Sequence, residues 1–448
     1  MNKKISLGVA FALMFIVATV TFTTTVMYTR NKFNQTVSNI TQREAMYDKL
    51  AEIDTYVRNN YIGTIDEDLL MDSIAYGYMA GVGDIRGNYY TVEQYEQITA
   101  KTDGKIVGIG ITASRTENGY ILVEEVYPDS PAAAAQITAG EMIVKVNDID
   151  LTPETYADAL EEISGQAGTT LSLVVRNGNE DREITEITRR KVQRPTVYSN
   201  SFDEVGYIRI TEFNGTTYDQ FKTAVETLLN GGATSLVFDV RENSGGTLDA
   251  VVKVLDMLLP EGDLATSVDK NGNVEVIGTS DASCIDVPMA VLVNKNTASA
   301  AELFAQALRD YEAAKAIGET TYGKGTMQVY HKLKDGSAIK ITTNKYNPPL
   351  SPNYDGIGIT PDYEVAYIGE EIFNADAIAP DVDNQLAAAV EYVTTGSVTV
   401  SSEINAEDTT LETETDVVNP EAGELTEGEE SEGEESEDTE EESETKAE

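Results

Sequence analysis

The sequence predicts an α/β core of βαβ type on a mostly parallel sheet. To this it adds an inserted β-rich module, an N-terminal transmembrane helix and helical terminal segments. Three observations carry that expectation. From Val205 onward, short apolar strands alternate with amphipathic helices, the pattern of βαβ units. Between Lys105 and Arg190 the signals are short strands punctuated by Asn-Gly turns. At the start, two lysines precede a long uncharged run.

That run extends from Ile5 to Met27, 23 residues, enough to cross a bilayer as a helix. It is longer than the core of a cleaved signal and lacks a clear small-x-small site. We read an uncleaved, single-pass anchor in the cell membrane; cleavage would instead give a secreted chain. Lys3 and Lys4 place residues 1–4 in the cytoplasm and the chain after Arg30 outside, against a counter-signal from Arg30 and Lys32. From Asn34 to Tyr61, Val37, Ile40, Leu50, Ile53 and Val57 recur at helical spacing. A second helix is expected from Glu67 to Met79, broken by "GVGDIRGNYYT".

Next come short strands. "GIGITASRTENGYILVEEVY" reads as a hairpin about Asn118-Gly119. "DSPAAAAQ" opens a short helix capped by Asp129 or Ser130, with Pro131 in its first turn. "EMIVKVNDIDL" is a strand, "TPETYADALEEIS" a helix, and two strands follow about Asn177-Gly178. The core then alternates: "VGYIRI", "TTYDQFKTAVETLLN", "TSLVFDV", "TLDAVVKVLDMLL", "PMAVLVN" and a helix from "AELFAQALRDY". A last helix runs from about Asp383 to Val393.

The chain thus divides into a cytoplasmic 1–4, a transmembrane signal anchor at 5–27 and an N-terminal helical region at 28–100. The β-rich module takes 101–192, the α/β core 193–366, a C-terminal helical segment 367–397 and an acidic tail 398–448. From Ser401 on there are 21 acidic residues against Lys446, too little apolar surface to fold, so disorder is expected.

Composition removes several functions. With 77 acidic side chains against 32 basic ones, the net charge is −45, which excludes nucleic-acid binding through bulk electrostatics. The single cysteine, Cys284, excludes an internal disulfide and a thiolate metal cage, and reads as a minor packing residue. The single histidine, His331, excludes multi-histidine metal sites; any histidine-based triad has only this residue to use.

Four pieces carry chemistry. Ser299 sits between the strand "PMAVLVN" and a helix, where a hydroxyl is exposed at the carboxyl edge of a sheet; the alternative is that Ser299 or Thr297 simply caps the helix. Lys324 lies 25 residues later between Gly323 and Gly325. Buried without a carboxylate partner, its amine loses basicity and can take a serine proton; the alternative is a surface lysine on a turn. Gln328 can hold that amine by a neutral hydrogen bond. In "FDVRENSGGTLD" a turn at Gly245-Gly246 offers free N–H groups for an oxyanion. The loop Gly108, Ile109, Gly110, Ile111, followed by the "TPETYADALEEIS" helix, has the layout of a module that captures peptide C-termini: the peptide adds as a strand and loop amides take its carboxylate. His331 is the rival base, in a segment that alternates like a strand.

In their order, "GIGI…DSPAAAAQITAGEMIVKVND", "FDVRENSGG", "NTASAAELFAQALRD", "GETTYGKGTMQ" and "YDGIGITPD" resemble the C-terminal processing peptidases, or tail-specific serine peptidases, from about Ala51 to Val393. The resemblance implies an α/β protease core with an inserted PDZ domain over Gly108–Arg176 that binds substrate tails and gates activity. It implies Ser299 as nucleophile, Lys324 as general base, Gln328 as the residue positioning the lysine, and Ala300 with Gly245 or Gly246 as the oxyanion hole. It implies extracytoplasmic protein or peptide substrates with free C-termini, no metal or organic cofactor, and homodimerisation through terminal helices, here Asn34–Tyr61 and Asp383–Val393. Ser244 stands where the family usually has proline and Gln136 where it usually has glycine, and "GVGDIRGNYYT" matches poorly. A catalytically silent PDZ scaffold and an esterase are the competing readings; cleavage of an unstructured protein that is lost in Ser299→Ala separates them.

Overall fold

The computed structural model describes residues 7–369 and 379–399, so the cytoplasmic segment 1–4, residues 370–378 and the acidic tail beyond 399 lie outside the described residues. The chain forms two compact units, divided after Gly77.

In the first unit one helix, Leu7–Asn60, runs 54 residues without interruption. Anchor and following helix, which the sequence suggests as separate elements, are thus continuous. The threonine-rich end of the apolar run fits a helix because its hydroxyls are satisfied locally. Thr19, Thr24, Thr25 and Thr29 each donate to the carbonyl four residues back, at 2.7–2.8 Å, and Thr23 does the same. Among the described residues, one window, Leu13–Arg30, is long and apolar enough to cross a membrane; its mean hydropathy is 1.2 and none of it is buried.

The second unit holds the β-rich module and the α/β core. In the module, five antiparallel strands run Ile111–Arg115, Ile121–Val126, Met142–Val146, Thr170–Asn177 and Glu180–Thr188, with Ile149–Asp150 paired to the third. Strict alternation in Thr170–Asn177 turns Leu171, Leu173 and Val175 inward. The helix Tyr156–Ser164 closes that core with Ala159 and Ile163. The chain enters and leaves through the paired strands Lys105–Gly108 and Arg190–Gln193, as an insertion must. Gln136 has a φ of 58°, a left-handed conformation that side chains disfavour, which explains why glycine is usual there.

The core is built on a six-stranded sheet in the order Val197–Phe202, Val205–Ile210, Ser235–Asp239, Met289–Val293, Ala314–Gly318, Tyr363–Glu364. The first pairing is antiparallel and the other four are parallel. Its central strands are buried on both faces, because helices cover both. Ile208, Phe238 and Val291 pack toward the helices Thr217–Asn230, Leu248–Leu258 and Ala300–Asp310. Tyr207, Val237 and Leu292 pack toward the helix Asn384–Thr395. Phe304 fixes the Ala300–Asp310 helix to the sheet, with ring centroids 5.7 Å from Phe213 and 5.6 Å from Phe238. Truncating it to alanine would cost about 3–5 kcal/mol.

A second sheet of five strands is antiparallel throughout: Asn88–Tyr90, Gly262–Asp269, Val274–Ser280, Thr326–Lys332 and Ala338–Asn347. The expectation of a mostly parallel sheet therefore describes the six-stranded sheet and not this one. The physical reason is that these strands have a solvated face and are built from two tight hairpins, Gly262–Asp269 with Val274–Ser280 and Thr326–Lys332 with Ala338–Asn347, which need no crossover helix. Cys284, between Val274–Ser280 and Met289–Val293, is exposed rather than packed.

Candidate active site

Three neighbouring parallel strands, Ser235–Asp239, Met289–Val293 and Ala314–Gly318, end at the same edge of the six-stranded sheet. Each is followed by one of the motif turns, so register alone brings Gly245-Gly246, Ser299 and Lys324 together. The turns are tied to one another. Thr297 Oγ1 donates to Val240 O at 2.8 Å, Ala298 N to Asn243 O at 2.9 Å, and Tyr322 N to Thr297 O at 3.0 Å.

Ser299 stands at φ 57°, ψ −118°, a conformation that costs a non-glycine residue about 1–3 kcal/mol. Such a strained turn between strand and helix pushes a serine side chain out of the sheet edge. Here it faces a cavity of about 510 Å³ that Lys324, Gln328, Gly246, Phe213 and Tyr346 also line. Glycine is required at 245: a Cβ there would lie 2.7 Å from Ala298 O and 2.7 Å from the Ser299 Cβ.

The strain is held by Glu302, which is fully buried. Its carboxylate accepts from the Ser299 N–H at 2.8 Å, the Thr321 hydroxyl at 2.6 Å, the Gly323 N–H at 2.6 Å and the Lys324 N–H at 2.8 Å. One side chain thus grips the backbone of both Ser299 and Lys324. A carboxylate close to the lysine is contrary to the surroundings expected from sequence. It spends its lone pairs on backbone donors and Thr321, so it acts on the amine only through space. The Lys324 amine is held below the usual lysine value of 10.5, by burial first and then by the positive charges of Lys340 and Arg86, against the opposing pull of Glu302. Tyr346, almost fully buried, donates to Lys324 O, and Tyr354 donates to Ser299 O at 3.3 Å.

The glycine turn separates its two amides. Gly245 N–H donates to Asn243 Oδ1 at 2.8 Å, while Asn243 Nδ2 donates to Ile210 O at 2.8 Å. Gly246 N–H and Ala300 N–H have no protein acceptor among the described residues. Gln328 donates its amide to Thr326 and Thr342, both at 3.2 Å, which leaves its carbonyl oxygen open. His331 is exposed on Thr326–Lys332 and is not among the residues lining the cavity. A hydroxyl, an amine of reduced basicity and two unengaged N–H groups at one sheet edge suit acyl transfer.

In the β-rich module, Gly108 ends a strand, Ile109 is buried, Gly110 has φ 81°, and Ile111 begins the next strand. The carbonyls of Ile109 and Gly110 accept from Ala132 and Tyr127, at 2.8 and 3.0 Å. Their N–H groups have no protein acceptor among the described residues.

Sequence reasoning missed Glu302, Asn243 and Tyr346. Glu302 had a signal, because a serine followed three positions later by glutamate at a helix start is the capping-box pattern. Asn243 and Tyr346 had none, since only the fold brings them to the site.

Comparison with known proteins points the same way. The model of peptidase family S41 matches residues 204–365, and that of the PDZ domain matches 122–177. A protein of Staphylococcus aureus (strain N315) named "Probable CtpA-like serine protease" is 31% identical over 336 residues, 74% of this chain and 67% of its own length. One of the same name from Staphylococcus haemolyticus is 30% identical over 313 residues, covering 69% and 63%. Among solved structures, a photosystem II D1 C-terminal processing protease is 27% identical with a TM-score of 0.44, covering 72% of this chain and 87% of that one.

Proposed function

The chain belongs to peptidase family S41, as a serine peptidase of the C-terminal processing kind that carries a PDZ domain, and from that premise we propose that Ser299 and Lys324 form its reacting pair. The observation that carries this reading is the single buried carboxylate, Glu302, that fixes both residues at one cavity. Ser299 Oγ attacks the scissile carbonyl carbon while neutral Lys324 Nζ takes its proton. The oxyanion is received by Ala300 N–H and Gly246 N–H, which have no other acceptor among the described residues. When the tetrahedral intermediate collapses, the Lys324 ammonium returns the proton to the leaving amine. Water then attacks the acyl-enzyme with Lys324 again as base. Gln328 positions the amine through its carbonyl oxygen, its amide nitrogen being engaged elsewhere.

Only the neutral lysine is competent. Its lowered pKa means that activity rises with pH through a midpoint below 10.5, giving a neutral-to-alkaline optimum. The test is cleavage of an unstructured protein. Ser299→Ala and Lys324→Arg lose activity, the latter because a guanidinium does not deprotonate in this range. His331→Ala keeps most of it. An active Lys324→Ala beside a folded but inactive His331→Ala would sink the pair.

The same reading makes the enzyme a single-pass membrane protein anchored by residues 5–27, with its peptidase part extracytoplasmic. The uncharged run and the preceding lysines support this. Loss of the chain from membranes on alkaline washing would count against it. The PDZ domain binds substrate tails through the Gly108, Ile109, Gly110, Ile111 loop and gates the site. Terminal helices at 34–61 and 383–393 form a homodimer, to be checked by sedimentation.

A further inference from the structure

The cavity beside Ser299 contains a second lysine that takes no direct part in the reaction, though its charge lowers the basicity of Lys324. Lys340 lies on Ala338–Asn347, directly opposite Tyr330 of Thr326–Lys332. Its ammonium sits 5.6 Å from the ring centroid of Tyr90 and 5.9 Å from that of Tyr330. Those rings are themselves 5.8 Å apart, so the lysine rests on a fixed aromatic seat. It makes no ion pair among the described residues. The other charged side chains in and around the cavity are engaged. Glu212 faces Arg194 at 3.6 Å, Arg86 faces Asp355 at 3.7 Å, and Glu302 is spent on backbone donors beneath Ser299. The Tyr330 phenol is pushed up to about 12, by burial first and then by Tyr90, so it supplies no negative charge at neutral pH. A half-buried cation without a counter-ion, held on rings inside a substrate cavity, is a site for a carboxylate.

We propose that Lys340 is a specificity-determining residue that receives an acidic side chain of the substrate near the scissile bond. The free C-terminus of the substrate is a separate carboxylate, taken up by the PDZ loop, so the ligand of Lys340 is a Glu or Asp side chain. The whole chain carries −45, which repels acidic peptides at long range. Preference for an acidic residue therefore has to come from a local contact such as this one, inside the roughly 8 Å over which charges act at physiological salt.

This inference rests on Ser299 and Lys324 being the reacting pair, and the experiment separates the two claims. Internally quenched peptides share one C-terminus and differ only by Glu or Gln at a single position, moved stepwise along both sides of the scissile bond. The readout is the ratio of kcat/KM for Glu over Gln, in which any effect of Lys340 on the basicity of Lys324 cancels. The full chain should prefer Glu by about tenfold at one position, the scale of a partly solvated charge-assisted contact. Lys340→Gln should bring that ratio to about one, Lys340→Glu should invert it, and Lys340→Arg should retain it. An unchanged ratio in a folded Lys340→Gln, or no Glu preference at any position, overturns the proposal while the reacting pair stands. Cleavage that persists in Ser299→Ala removes the reacting pair, and this proposal with it.

Discussion

The regions matching the PDZ domain and the peptidase family bury different things. In 122–177 the core is apolar, and the buried polar residues among them are Ser130 and Glu141. In 204–365 an apolar core of similar character surrounds Asp239, Arg241, Asn243, Thr297 and Glu302, each with no exposed surface. Arg241 lies between two carboxylates, 2.6 Å from Asp239 and 2.7 Å from Asp383, and also donates to Gln385 at 2.9 Å. Burial pushes Asp239 up, but Arg241 outweighs it and holds the carboxyl below its usual range. Apolar packing is forgiving of small changes, because any shape of about the right volume fills it. Buried charges and hydrogen-bonded turns are not, because each unpaired group costs its full desolvation. The PDZ module is thus specified by volume and the peptidase edge by direction.

That contrast can be broken most directly at Glu302. Glu302→Ala strands donors on both Ser299 and Lys324. It should cost about 3 kcal/mol or more in urea unfolding, at roughly 1–3 kcal/mol per stranded buried donor, and about 10²-fold or more in kcat/KM, the scale of a small misplacement of reacting atoms. A variant with normal activity and stability would erase the distinction. Arg241→Met comes next. It removes the guanidinium that pairs with both buried carboxylates, Asp239 and Asp383, for a loss of about 3–5 kcal/mol. Its stability should also respond to acid differently. In the parent, the lowered Asp239 pKa contributes stability that is present above the unfolded value near 3.8 and lost as pH falls through the folded value; the variant loses the share of this contribution that Arg241 supplies.

Two smaller effects sharpen the comparison from the other side. Amidating the C-terminus of a peptide bound by the module should weaken it by about 1.5–3 kcal/mol in calorimetry, through loss of one charge-assisted contact. Equal binding of acid and amide would remove carboxylate capture. Tyr198→Phe deletes a hydroxyl that meets both oxygens of Glu125 at 3.0 Å, linking the core to the module. About 0.5–1.5 kcal/mol is expected in thermal unfolding. A much larger loss would mean that module and core are not separable in stability.

What could be read from the sequence follows the same division. Alternating burial in "TLSLVV" and unbroken apolar runs such as "PMAVLVN" announced their strands, because periodicity is a property of neighbours in the chain. The Ser299, Lys324 and Gly245-Gly246 turns were legible as strand ends. The antiparallel sheet was not, since the pairing of Asn88–Tyr90 with Ala338–Asn347 spans most of the second unit. Lys340, Tyr346 and Asn243 carry no local mark at all. Nor could the sequence choose between the glycines: only the Asn243 side chain, by taking the Gly245 N–H, distinguishes it from Gly246.

Asp383 gives the Arg241 cluster a consequence in time. The carboxylate that completes the charge pairing of Arg241 lies 142 residues further along the chain, at the start of Asn384–Thr395. A ribosome releases Ser299 and Lys324 well before it releases Asp383. During that interval Arg241 has one carboxylate where the finished enzyme has two, and the sheet face carrying Tyr207, Val237 and Leu292 has no helix over it. The segment that completes the Arg241 cluster is among the last described parts to be synthesised, so a nascent chain carries Ser299 and Lys324, with Glu302 to grip them, before it can cover this face of the sheet.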